Sequence, residues 1–224
     1  MHTDWTQDAN CQAAWLCREG TGETIEDSSQ NSNEAIFRGT PVWTNVANPP
    51  YAPYSIYIDD SAYVDCGYDS SIENQVFSKV TWLQLAADGF QQTIIGGFYN
   101  NSPQFGVTTD RKLFLDKTGV ARIGTSNNTV PYGYCHVAVT YDTGGNYIFY
   151  VNAVADGSGT NLQIFAWDEV NIWGTNNNND DLSGYMTEVA EFDDILTPTE
   201  IKEIYDFGLK PSLPILTPFW YYNG

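Results

Sequence analysis

Positive charge is scarce in this sequence: nine Lys and Arg stand against 28 Asp and Glu, a formal charge of −19 over 224 residues. A field of that sign repels phosphate backbones and anionic headgroups, which argues against nucleic-acid binding and acidic membrane surfaces. No apolar run is long enough to span a bilayer. Residues 1–10 lack the basic and apolar regions of a signal peptide. Histidine is nearly absent, with only His2 and His136. His136 follows Cys135, and neighbours on a strand point to opposite faces, so the two cannot form a nucleophilic couple. There is no P-loop and no dinucleotide fingerprint. The four cysteines, Cys11, Cys17, Cys66 and Cys135, allow three disulfide pairings, and nothing in the sequence chooses among them. No C-x-x-C spacing or Cys/His cluster points to zinc. Cys66 and Cys135 sit in strand-like runs as small apolar residues. A chain of this length can bury a core without disulfides.

What is abundant is aromatic and β-branched residues in alternation. Residues 134–154 read YCHVAVTYD, then TGGN, then YIFYVNAV. Cys135, Val137, Val139 and Tyr141 share one face, with His136, Ala138 and Thr140 on the other. Tyr147, Phe149 and Val151 likewise oppose Ile148, Tyr150 and Asn152. Such period-2 runs around a Gly-Gly connection predict a β-hairpin. Further short strands are expected at residues 11–17, 35–37, 42–43, 54–59, 62–66, 76–86, 93–99, 104–108, 112–116, 120–124, 162–165, 170–173 and 185–192. Trp82, Val137, Val139 and Phe149 are the expected core. Pro49, Pro50 and Pro53 bar a central strand over 48–54. Thr197-Pro198-Thr199-Glu200 is a capping box with Pro at the first helical position. Ile201, Ile204 and Tyr205 follow on one face, and Gly208 is a natural stop.

The hairpin HVAVTYDTGGNYIFYVNAV resembles the central hairpin of LamG-like domains, the laminin G/pentraxin-like branch of the concanavalin A-like lectin/glucanase superfamily. Residues 182–208, LSGYMTEVAEFDDILTPTEIKEIYDFG, resemble that family's closing strand and helix. GTGETIEDSSQNSN and YIDDSAYVDCG are similar to its opening turn and an early strand. The resemblance implies an all-β fold, an antiparallel two-sheet jelly-roll sandwich with one short C-terminal helix. The expected organisation is an N-terminal arm over 1–10 with Trp5 as its anchor, the jelly roll over 11–208, and an apolar tail over 209–224.

The fold also hosts glycosidases with a Glu-x-Asp-x-Glu strand, whose i, i+2 spacing sets carboxylates on one face. Here Glu188 and Glu191 differ by three and fall on opposite faces. Glu191 and Asp193 share a face, but the next position on it is Ile195. The motif fails, and the chain is expected not to be an enzyme. Calcium is a second implication of the resemblance. Asp59, Asp60, Asn176, Asn177, Asp180 and Asp181 match the two loops that hold it in relatives, but the asparagines replace acids, which lowers the charge that calcium needs. A third implication is carbohydrate binding or adhesion, with Tyr99, Asn100, Trp167 and Trp173 as candidate ligand contacts. A glycan or a cell-surface or virion protein is then the expected partner. The alternative is a structural subunit of a large assembly, such as a phage decoration or fibre protein. The missing signal features favour that alternative, because virion proteins reach the outside by lysis. The tail would then join a homo-oligomer through Phe219, Trp220, Tyr221 and Tyr222.

Overall fold

The structure, a computed structural model, describes residues 3–45, 49, 51–59, 62–67, 75–86, 89–97, 101–165 and 182–210, and the backbone of 171–173. Its strands form two sheets, numbered along the chain. The first runs β14 (Val154–Thr160), β13 (Asn146–Val151), β12 (Cys135–Tyr141), β7 (Phe77–Leu85), β16 (Gly184–Phe192), β5 (Ser55–Ile58) and β4 (Val42–Thr44), and β1 (Cys11–Trp15) also pairs with β16. The second runs β11 (Ala121–Thr129), β10 (Lys112–Lys117), β9 (Pro103–Val107), β8 (Gln92–Gly97), β15 (Asn171–Trp173), β6 (Tyr63–Asp65), β3 (Ala35–Arg38) and β2 (Thr24–Ile25). The paired strands are antiparallel throughout, as in a jelly-roll sandwich.

The predicted hairpin is β12–β13, in register from Val137↔Val151 to Tyr141↔Tyr147. Its alternation sorts side chains as the period demands. Cys135, Val137, Val139, Tyr141 and Phe149 join the core between the sheets, and Ala138 and Tyr150 join a second cluster on the outer face. That outer cluster is covered by helix α1 (Pro198–Phe207), which buries Ile201 and Ile204. Both arms of the capping box form: Glu200 N–H donates to Thr197 Oγ1 at 3.3 Å, and Thr197 N–H donates to Glu200 Oε2 at 2.6 Å. Gly208 stops the helix at φ 79°, a conformation that favours glycine.

Trp82 is buried as expected, in the layer outside the inter-sheet core. Phe77, Leu83 and Leu85 of β7 face the inter-sheet core, so strand parity turns Val80 and Trp82 outward beneath α1. Residues 162–165 run extended but outside either sheet, while residues 154–160, not foreseen as a strand, form β14. Trp5 anchors the N-terminal segment, as the sequence suggests. It packs edge-on to Phe192, and its backbone N–H donates to the Leu209 carbonyl at 2.8 Å.

Trp82 has ring contacts to Tyr51, Tyr134, His136 and Tyr205, with centroids 5.3 to 6.0 Å away. Trp82→Ala should therefore destabilise the protein by about 3–5 kcal/mol. Equilibrium denaturation checks this, and a loss below about 1 kcal/mol would mean the indole is not packed as described.

Candidate functional site

Most residues singled out from the sequence as contacts lie outside the described residues: Asp60, Tyr99, Asn100, Trp167, Asn176, Asn177, Asp180, Asp181, Phe219, Trp220, Tyr221 and Tyr222. Trp173 lies in β15, paired with Val64 of β6, and only its backbone is described. Asp59 directly follows β5, and its carbonyl accepts from Ala62 N–H at 2.9 Å. The β5–β16 register sets Ile58 opposite Gly184. The backbone thus brings Asp59 to the same sheet position as the chain that follows the Asn-rich run. Among the described residues no group of three or more acidic, His or Cys side chains is placed to hold a metal ion. All four cysteines are free and buried, and burial raises their thiol pKa values, so they behave as small core residues.

The two glutamates of β16 do face opposite ways. Glu191 points between the sheets, where it meets Lys79 Nζ at 2.8 Å, both side chains essentially fully buried. Glu188 sits on the outer side at a bulge, with φ 50°. Its carboxylate accepts from Arg18 Nη2 at 3.3 Å and from Leu209 N–H at 2.9 Å. Neither carboxylate faces the other across a common space, so the two cannot act as an acid and a nucleophile on one glycosidic bond. Asp193 and Asp194 lie beyond the end of β16.

The described aromatic with the greatest exposure is Tyr132, 73% exposed on the connection from β11 to β12. The sequence reading passed over it. A Pro-Tyr-Gly tripeptide between two strands was the available signal, because Pro and Gly on either side mark a turn that lifts the ring out of the sheet.

The chain belongs to the concanavalin A-like lectin/glucanases superfamily: the laminin G-type model of that description matches residues 59–202. No curated protein matches the sequence. Among solved structures, domain 4 of the extracellular GH43 arabinanase AbnA from Geobacillus stearothermophilus, in complex with arabinotriose, is similar at TM-score 0.71 and 15% identity. That likeness covers 88% of this chain and 98% of the domain. The binding domain of botulinum neurotoxin DC in complex with SialylT is similar at TM-score 0.68 and 15% identity, covering 90% of this chain and 52% of that one. The binding domain of Paraclostridial mosquitocidal protein 1 is similar at TM-score 0.69 and 12% identity, covering 88% and 52%. This chain therefore spans about half the length of the toxin binding domains and nearly all of the arabinanase domain. At these identities the likeness establishes the fold.

The layer beneath α1 holds two groups whose titration opposes. Burial pushes the Glu188 carboxyl up to about 7, against the downward pull of Arg18. Burial pushes His136 down to about 3, and neither ring nitrogen has a hydrogen-bond partner among the described residues. Folded Glu188 keeps a proton that the unfolded chain releases near 4.5, so stability is full below that pH and is lost as pH rises to about 7. Unfolded His136 takes up a proton near 6.5 that the folded protein refuses until about 3, so its contribution is full above 6.5 and is lost as pH falls. Between about 4.5 and 6.5 the two slopes cancel, each at most about 1.4 kcal/mol per pH unit. Glu188→Gln should add a positive slope of stability against pH in that window, and His136→Phe a negative one. Urea titrations at several pH values read both, and slopes of the same sign in the two variants would contradict the assignment.

Proposed function

We propose that the protein is a non-catalytic, lectin-like module that binds carbohydrate. The observation that carries this reading is the likeness to an arabinanase domain solved with arabinotriose bound, which extends over 98% of that domain. The neurotoxin binding domains solved with SialylT and with rat synaptotagmin II, about half of whose length this chain matches, support a binding role in the same direction. Glycans or cell-surface proteins outside the cell are then the natural partners. The non-catalytic half of the reading rests on Glu188 and Glu191, which face away from each other and are each held in an ion pair. The virion-subunit alternative has no counterpart among the similar structures reported above, and residues 211–224 of the tail lie outside the described residues.

The test is a panel of immobilised oligosaccharides that includes arabinotriose, followed by calorimetry on any ligand found and by chromatography of the incubated sugar. Saturable binding with the sugar recovered intact is expected. Cleavage products would overturn the non-catalytic reading, and no binding across the panel would overturn the carbohydrate reading.

Calcium belongs to the same proposal as a secondary feature. Asp59, Asp60, Asp180 and Asp181 would offer carboxylates, while Asn176 and Asn177 would offer amide oxygens, which hold calcium weakly. Melting curves in calcium and in EDTA should therefore differ little. A large shift that Asp60→Ala abolishes would show a strong site instead.

A further inference from the structure

The ladder of the first sheet sets four side chains in one row. Val42 of β4 is opposite Tyr57 of β5, Tyr57 is opposite Tyr185 of β16, and Tyr185 is opposite Gln84 of β7. Their chain neighbours face the inter-sheet core: Trp43 packs against it, and Ile56, Ile58, Met186, Leu83 and Leu85 belong to it. Strand parity therefore turns the whole row outward. Helix α1 covers that outer face over Val80, Ala138, Tyr150 and Ala190, and none of the four row residues belongs to the cluster it forms. Val42 is 53% exposed, and Tyr57, Tyr185 and Gln84 are half-buried.

The two tyrosine rings touch, with centroids 5.0 Å apart and planes at 50°. Their hydroxyls and the Gln84 amide make no hydrogen bond among the described residues. The base beneath them is stiff. β5 and β16 are paired on both sides, and a Cβ on Gly184 would strike the Gln84 carbonyl, so β16 and β7 close tightly beside Tyr185. Neighbouring strands lie about 4.8 Å apart, so the three steps from Val42 to Gln84 span roughly 14 Å, longer than one sugar ring. Two joined aromatic rings, flanked by an aliphatic side chain and an amide, match a sugar chain, which offers C–H groups on its ring faces and hydroxyls at their rims. An apolar protein surface laid on the row would instead bury three polar tips without partners, a cost that sugar hydroxyls remove.

We infer that this row is a platform for a neutral oligosaccharide, which stacks on Tyr57 and Tyr185 and bonds a hydroxyl to the Gln84 amide. The inference rests on the carbohydrate-binding reading above. The preference for a neutral sugar follows from charge. No Lys or Arg stands in the row, Asp59 is two residues on from Tyr57, and the chain carries −19, so an acidic sugar meets repulsion there.

Calorimetry of the full chain with arabinotriose, cellotriose and sialyllactose tests the platform, with melting temperature and oligomeric state read on each variant. Tyr57→Ala and Tyr185→Ala each remove a stacking face, Tyr185→Phe keeps the ring, and Gln84→Ala removes an amide that bonds to nothing else described. The expected result is binding of a neutral trisaccharide that weakens about tenfold or more in Tyr57→Ala and Tyr185→Ala, about fivefold in Gln84→Ala, and persists in Tyr185→Phe. Should a tyrosine-to-alanine variant lose its fold, Gln84→Ala carries the test, because its melting temperature should hold. Wild-type binding that Gln84→Ala and the folded tyrosine variants all retain would overturn the platform while leaving the carbohydrate reading intact. Binding of sialyllactose alone would overturn the neutral assignment. A wild-type dimer that Tyr185→Ala splits, with sugar binding unchanged, would assign the row to a second copy of the chain and overturn the platform. No binding of any probe by the wild type would overturn the carbohydrate reading and the platform with it.

Discussion

The sandwich depends on a buried ion pair. Lys79 of β7 and Glu191 of β16 are directly opposite in the ladder and close a 2.8 Å contact inside the inter-sheet core. Two charges in such a place lose their hydration, and their attraction only roughly offsets that loss, so the pair adds little net stability. Its effect is on register. Sliding β7 against β16 by one residue would leave an unpaired charge beside Phe77, whose ring lies 5.5 Å from the Lys79 ammonium. That would cost far more than the loss of an ordinary ladder hydrogen bond. Burial still raises the Glu191 pKa, with Lys79 pulling it back, so the carboxylate is held charged by its partner rather than by solvent. Every other strand of the first sheet takes its position from these two. β12 pairs with β7 from Cys135↔Leu83 to Tyr141↔Phe77, and β1 and β5 both pair with β16.

The bulge in β16 lets the same strand serve two layers. Between Thr187 and Ala190 the ladder slips, and Glu188 takes a left-handed conformation. The slip turns Val189 and Glu191 inward and leaves Glu188 under the exit of α1. There it ties together three distant parts of the chain. Arg18, just past β1, donates both to Glu188 and to the Lys210 carbonyl, and Leu209 N–H closes the set. The aromatic layer of Tyr51, Trp82, Tyr134, His136 and Tyr205 fills the space beside it. The helix is thus docked by apolar contacts along its length and by one carboxylate at its end. A buried, neutral imidazole in that layer contributes as a ring, not as a base.

The parts of the fold legible in the sequence are those whose patterning is local. The 135–151 hairpin announces its faces by strict alternation, and α1 carries its own start and stop in Thr197, Glu200 and Gly208. The opposition of Glu188 and Glu191 was also readable, although the bulge that enforces it was not, since no residue type marks a bulge by itself. Trp82 was legible as buried, but not the layer it joins, because polar residues fall on both faces of β7: Lys79 and Thr81 on one, Ser78 and Gln84 on the other. β14 escaped because VADGSGT has little β propensity. Its glycines serve packing instead. Tyr147 lies where a Cβ on Gly124 or on Gly159 would sit, so both must be bare. Tyr132 was not foreseen because its rigidity comes from Arg111, twenty-one positions earlier, and no periodicity reports such a contact.

Two open sheets stacked face to face leave four edges, and exposed edges invite pairing with other chains. Here the edges are closed against each other by side chains. On one flank β14 approaches β11 so closely that a Cβ on Gly157, at φ 112°, would meet the Asn127 nitrogen at 3.1 Å, and Asp156 spans the gap to Asn128. On the other flank Trp43 of β4 donates from Nε1 to the Gly22 carbonyl at 2.8 Å, and its ring packs 5.6 Å from Phe37 of β3. The flanks are therefore poor places for strand addition, and the broad faces of the first sheet meet the second sheet on one side and, over Val80, Ala138, Tyr150 and Ala190, α1 on the other. Connections leave the strands at the two ends of the sandwich. Loops there are normally too mobile to orient a ligand without an entropic cost. The Asp156–Asn128 bridge and the buried Arg111 remove that cost at one end, because the bonds that seal the flank also hold the groups that face outward.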